Sequence, residues 1–324
     1  MPDAATNPGT SQRTLSVNGI DLAITEAGEG PLVILAHGFP ELGYSWRHQI
    51  PALAAAGYRV VAPDQRGYGA SSRPEAITDY DIAHLTGDLL GLLAALGEDE
   101  GVFIGHDWGS MVVWQLALLA PERVRGVVGM SVPFVPRGPM PPIQGMRALF
   151  GDSFFYMLYF QEPGVADANL GADAALTMRG MLAGLGDPAG VGAGMGPGGS
   201  EDRRGFVERL YQPSELPAWL SEAELEHYIS TFTRTGFTGG INWYRNLDRN
   251  WEITPQLEGA KVSVPSLFIG GSADPVLVMM PPAVMDGWLE DHRGSVLVEG
   301  AGHWVQQEKP AQVNAALLEF LAHL

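Results

Sequence analysis

Asp107 stands in Gly105-His106-Asp107-Trp108-Gly109, between the apolar run GVFIG (101–105) and an apolar stretch of helical character. A G-x-x-x-G frame at a strand-to-helix turn can display a nucleophile clear of the sheet. The N–H groups that follow, and the helix dipole, then face the reacting centre. Glycines at 105 and 109 permit the close backbone approach such a turn needs. The usual occupant is serine, which needs a base before it can attack. An aspartate, with an ordinary pKa of about 3.9, is already ionised at neutral pH. At a carbonyl it would form a labile anhydride, whereas at a saturated carbon it forms an ester. Taken alone, the segment also reads as a plain helix N-cap.

Three further segments bear on the choice. His37-Gly38-Phe39-Pro40 follows the run PLVILA, Asp274 lies in GGSADPVL after another apolar run, and His303 lies in GAGHW near the C-terminus. The order Asp107, Asp274, His303 matches the nucleophile–acid–histidine order of α/β-hydrolases, and the His37 loop falls where that fold supplies an oxyanion N–H. Each segment by itself is weak, because a histidine beside glycine is often a loop residue. Together, all at strand ends and in this order, they point to one site.

The elements that would position these residues can be read from periodicity. An Asn18-Gly19 pair between Thr14–Val17 and Asp21–Glu26 signals a hairpin. Buried strands are expected at 31–36, 58–63, 101–105 and 124–130, and again at 264–271 and 294–300. Ile82, Leu85, Leu89, Leu92 and Leu96 make one helical face. Strand–helix alternation of this kind builds a mostly parallel sheet flanked by helices. It breaks at five prolines between Pro133 and Pro142, and a helical, aromatic stretch follows to about Asn250. We therefore expect an α/β-hydrolase core over 13–132 and 251–324, an inserted helical lid over 133–250, and a flexible tail over 1–12. Within the lid, the glycine-rich 184–200 stretch is expected to be mobile.

Composition narrows the functions. With 19 basic against 37 acidic residues the net charge is −18, which disfavours nucleic acid and anionic membrane surfaces. The chain has no cysteine, so disulfides, thiolate metal sites and a cysteine nucleophile are excluded. A polar N-terminus and the lack of a long apolar run suggest a cytoplasmic protein without membrane insertion. No spacing suggests a metal site or a nucleotide loop, so no cofactor is expected.

The phrases YMLYFQEPGVADANL (156–170), INWYRNLDRNW (241–251), GHDWG and GHWVQQEKP (302–310) resemble those of the soluble epoxide hydrolases of the α/β-hydrolase superfamily. The resemblance runs from about residue 13 to the C-terminus. It implies an epoxide opened through an alkyl-enzyme ester on Asp107, and two lid tyrosines that activate the epoxide oxygen, mapping to Tyr156 and Tyr244. Without it, a lid tyrosine would read as packing, and Tyr159 would compete with Tyr156. His303 would deprotonate a water that hydrolyses the ester, with Asp274 orienting it. Backbone N–H groups of Phe39 and Trp108 would form the oxyanion hole.

A haloalkane dehalogenase could use the same aspartate, with Trp108 cradling the halide. Dehalogenases of this fold commonly carry Asn or Glu where this chain has Phe39, and the tyrosines also favour the epoxide. A non-catalytic ligand-binding protein of the same fold is a third reading. Phe39, Pro40, Trp108, Phe134, Trp243 and Trp304 are expected to bind an apolar or aromatic epoxide, the partners being that epoxide and water. His106 is expected to be structural, and Met279 and Met280 to pack the core or the pocket wall.

Overall fold

The computed structural model describes residues 9–185 and 204–324. Residues 1–8 of the expected tail and most of the 184–200 stretch lie outside the described residues, and so does its expected mobility. One sheet has the strand order β1-β2-β4-β3-β5-β6-β7-β8. The strands are β1 (Ser11–Val17), β2 (Ile20–Ala27), β3 (Leu32–Ala36), β4 (Arg59–Pro63), β5 (Gly101–His106), β6 (Val124–Met130), β7 (Ser266–Gly271) and β8 (His292–Val298). β1, β2 and β4 pair antiparallel, and every pairing from β4 to β8 is parallel. At the hairpin tip Asn18 and Gly19 take φ of 46° and 77°, as a primed turn requires. β1 starts earlier than the expected Thr14. Ser11 already pairs with Glu26, so the last positions of the expected tail are strand.

The central strands are apolar on both sides because both faces are covered. Along β3, Leu32, Ile34 and Ala36 join one core, while Val33 and Leu35 join the other. The first core packs against α2 (Ile82–Ala95) and α3 (Trp108–Leu119), the second against α1 (Gln49–Ala55) and α13 (Pro310–Leu321). Leu85, Leu89 and Leu92 turn inward from α2 as their spacing predicts, and Asp81 caps the helix by accepting from the His84 N–H.

Between β6 and β7 the described residues form helices and no strand. These are α4 (Pro142–Phe150), α5 (Tyr156–Tyr159), α6 (Val165–Gly171), α7 (Ala174–Arg179), α8 (Glu222–Thr235), α9 (Thr238–Arg245) and α10 (Leu247–Ile253). A π-helical turn, Gly180–Gly184, continues α7. Since α10 runs on to Ile253, the expected boundary at residue 250 falls inside a helix. Two short helices, α11 (Pro275–Met279) and α12 (Val305–Glu308), follow β7 and β8. Met279 on α11 is 46% exposed and does not pack the core, whereas Met280 lies against it. No helix among the described residues is long and apolar enough to cross a membrane.

Candidate active site

Asp107 follows β5 directly and stands at the N-cap of α3 with φ 52° and ψ −119°. A non-glycine residue in the left-handed region of φ stores on the order of 1–3 kcal/mol, tolerated where the surroundings enforce it. Here they do. A side chain at Gly109 would start 2.0 Å from the Ala36 carbonyl oxygen, and one at Gly38 would start 2.4 Å from the Asp107 carboxylate. Those glycines let the β3 loop close onto the elbow. Oδ1 of Asp107 accepts the Phe39 N–H at 2.8 Å. The Trp108 N–H is the first of α3, directly after Asp107.

Asp274 and His303 arrive from the far side of the sheet, after β7 and β8. His303 Nδ1 lies 3.0 and 3.1 Å from the two oxygens of buried Asp274, and Nε2 lies 3.5 Å from Oδ2 of Asp107. Oδ1 of Asp274 also accepts the Val276 N–H at 2.8 Å, which fixes the carboxylate. Burial works against a charged His303, but the Asp274 and Asp107 carboxylates outweigh it and hold the imidazole pKa well above its ordinary value. Glu308 staples this loop by accepting the N–H groups of Gly302 and Trp304 at 2.7 and 2.9 Å.

A second histidine–carboxylate pair lies directly behind. Glu41, with no exposed surface, accepts from the Gly38 N–H (3.0 Å), His106 Nδ1 (2.6 Å), Gln306 (2.9 Å) and Gln307 (3.0 Å). Burial would raise its carboxyl, yet His106 and these donors hold it at about 2. Nε2 of His106 donates to the His303 carbonyl at 2.7 Å, where Ser131 also donates at 2.8 Å. Glu41, Ser131, Gln306, Gln307 and Glu308 went unrecognised in the sequence reading. The signal available was a glutamate in HGFPE and the polar run QQEK, neither specific.

The cleft above Asp107 is lined by Phe39, Tyr156, Phe160, Met181, Leu185, Phe206, Tyr244, His303 and Trp304, and the cavity between them is about 20 Å³. Burial, reinforced by the Asp107 charge, raises the Tyr156 and Tyr244 phenols above their ordinary pKa, so both keep their protons at neutral pH. Their rings lie 5.9 Å apart. Tyr159 is not on the wall; its ring packs beside Phe154. Of the six expected substrate-binding residues, Phe39 and Trp304 line the cleft. Phe134 instead packs on Trp114, and Trp243 turns its indole to donate to the Arg66 carbonyl. Trp108 packs edge-on to Trp243 and Tyr244, supporting the wall from behind, and Pro40 is not among the lining residues.

The comparisons with known proteins agree with this geometry. A family model for the alpha/beta hydrolase fold matches residues 31–310. Epoxide hydrolase A of Mycobacterium tuberculosis is 57% identical over 319 residues, covering 97% of this chain and 98% of its own. Epoxide hydrolase 1 of Siraitia grosvenorii is 40% identical over 317 residues, covering 95% and 97%. Among solved structures, epoxide hydrolase A from Mycobacterium thermoresistibile superposes with a TM-score of 0.91 at 57% identity, covering 97% of this chain and 98% of that one. With the elbow, the acid and the histidine on one α/β sheet, and relatives matching end to end, the chain belongs to the epoxide hydrolases of the α/β-hydrolase fold.

Proposed function

We propose that the enzyme opens an epoxide to its vicinal diol in two covalent half-reactions, with the helical segment 133–250 serving as the lid over the site. Oδ1 of Asp107 is engaged by the Phe39 N–H, which leaves Oδ2 to attack an epoxide carbon from behind. A C–O ester bond forms as the ring C–O bond breaks. The departing oxygen takes a proton from Tyr156 or Tyr244, so no free alkoxide is released. The ester carries no charge, so His303 loses one of the two carboxylates that hold its proton; it releases that proton to solvent and takes one back when the Asp107 carboxylate is restored.

In the second half-reaction neutral His303 takes a proton from water as the water oxygen adds to the ester carbonyl carbon. Asp274 stabilises the imidazolium that results. The oxyanion develops on Oδ1, toward the Phe39 N–H and that of Trp108; one such donor is worth about 3–4 kcal/mol in other enzymes. Collapse releases the diol as its oxygen takes the proton from His303, and the proton left on Asp107 returns to the phenolate. The sum is epoxide plus water to diol.

One observation carries the reading: the cleft brings two buried, protonated phenols to the same space as the Asp107 carboxylate, and its other walls among the described residues are apolar apart from His303. A halide would need no proton. The experiment is product analysis at neutral pH, with styrene oxide and a bromoalkane offered in parallel to wild type and Asp107→Ala. Diol from the epoxide, lost in the variant, is expected. Bromide release without diol would overturn the proposal and reduce both tyrosines to packing.

A further inference from the structure

Trp304 does two things at once. Its ring forms part of the cleft wall, and its indole N–H donates to the carbonyl of Met181 at 3.2 Å across the gap between the catalytic loop and the lid helices. Met181 belongs to the π-helical turn Gly180–Gly184, whose geometry is rare and often found at functional sites. The outer side of the turn is held by close approach. A side chain at Gly180 would start 2.4 Å from Gln212 Nε2, and one at Gly184 would start 2.3 Å from the Tyr211 carbonyl oxygen. The turn is thus gripped between the 210–212 segment and Trp304. From it Met181 and Leu185 reach the cleft, where Phe206 also stands.

The cavity they leave is only about 20 Å³, far below the roughly 300–1,000 Å³ found for small-molecule sites, so a wall must yield as substrate enters. Apart from the acid, base and phenol groups, every wall among the described residues is apolar. Resting on the epoxide-hydrolase reading above, we infer that Trp304 is a specificity-determining residue: by anchoring the π-helical turn it holds Met181 and Leu185 in the cleft and restricts the enzyme to epoxides with a bulky apolar group on one carbon only. An epoxide with a ring on each carbon must displace that turn, and so must break the indole bond.

The test compares kcat/KM for styrene oxide, with one phenyl group, and trans-stilbene oxide, with two. The wild type is expected to favour styrene oxide. Trp304→Phe removes the donor and keeps an aromatic wall; the preference is expected to shrink about fivefold, the worth of one neutral hydrogen bond, mainly through a lower KM for stilbene oxide. Met181→Ala opens the same wall without touching the His303 loop and is expected to shrink the preference as well. The double variant should gain little beyond the larger single effect, because both changes act on one turn.

An unchanged preference in Trp304→Phe overturns the inference. So does an equal fall in kcat on both substrates, which would mean that the indole acts only through His303. If the wild type leaves stilbene oxide untouched, diol formed from it by either variant supports the inference, and none from both overturns it. A Trp304→Phe chain that does not fold leaves Met181→Ala to decide alone, by the same ratio. A wild type inactive on both epoxides would instead sink the catalytic reading itself, a distinct result.

Discussion

Two histidine–carboxylate pairs lie side by side in this enzyme, their imidazole rings 5.0 Å apart, and only one faces the cleft. In His303–Asp274 one ring nitrogen is held by the acid while the other faces Asp107 at the floor of the cleft. In His106–Glu41 both ring nitrogens are committed, Nδ1 to a carboxylate and Nε2 to a carbonyl, neither of which can donate. Glu41, held at about 2, is surrounded by four donors, so the pair is locked in place on every side. The residue types are nearly the same. What separates the proposed base from the brace is a single ring nitrogen left facing the cleft.

The contrast is broken most severely at the reacting end. Asp107→Ala should lower kcat by at least about 10⁴-fold, as loss of a nucleophile does elsewhere. His303→Gln should let the ester form and persist. Intact-mass measurement of that variant after exposure to a substrate the wild type turns over should show an added mass, and its absence would count against covalent catalysis.

The bracing pair should register in stability first. Glu41→Ala leaves the buried partners Gly38, His106, Gln306 and Gln307 without their acceptor and should cost about 3 kcal/mol in urea unfolding. The pH sign follows from the depressed carboxyl. Its contribution is complete above the ordinary value of 4.5 and is lost as pH falls toward about 2, so that acid step should vanish in Glu41→Gln.

Tyr244→Phe should slow ester formation about 10²-fold or more and leave ester hydrolysis nearly unchanged, as rapid-mixing kinetics can resolve. The reverse pattern would remove the tyrosine from its assigned role.

A subtler comparison concerns His303 alone. Ester formation removes the Asp107 charge, so the acid limb of ester hydrolysis should lie at lower pH than the pH at which the free enzyme's His303 loses its proton. Single-turnover rates set against an NMR titration of His303 measure the difference. Coincident midpoints would show that Asp107 does not hold that proton.

The meeting of Asp107, Asp274 and His303 is readable from the sequence, and that of Glu41 with His106 is not. Asp107, Asp274 and His303 each follow an apolar run, so the order of elements alone places them at one edge of the sheet. Glu41 finds its partners more than two hundred and fifty positions away, at Gln306 and Gln307, and no local pattern encodes such a meeting. Aromatic residues misled for a related reason. Phe134 and Trp243 are aromatic like Phe39, but which aromatic side chains face the cleft is decided by packing that only the folded chain has. Tyr156 was preferred to Tyr159 on a family phrase, since residues three apart on a helix lie on nearly one face.

The long insertion between β6 and β7 has a consequence for how such an enzyme can diversify. Those strands are neighbours in the sheet although Met130 and Ser266 stand far apart in the chain. The entropic cost of closing a chain segment grows only with the logarithm of its length, and each doubling adds about 0.6 kcal/mol. Residues can therefore be gained or lost in the insert at almost no thermodynamic cost to the sheet that carries Asp107, Asp274 and His303. Substrate range can drift on the insert while the reacting groups stay in place.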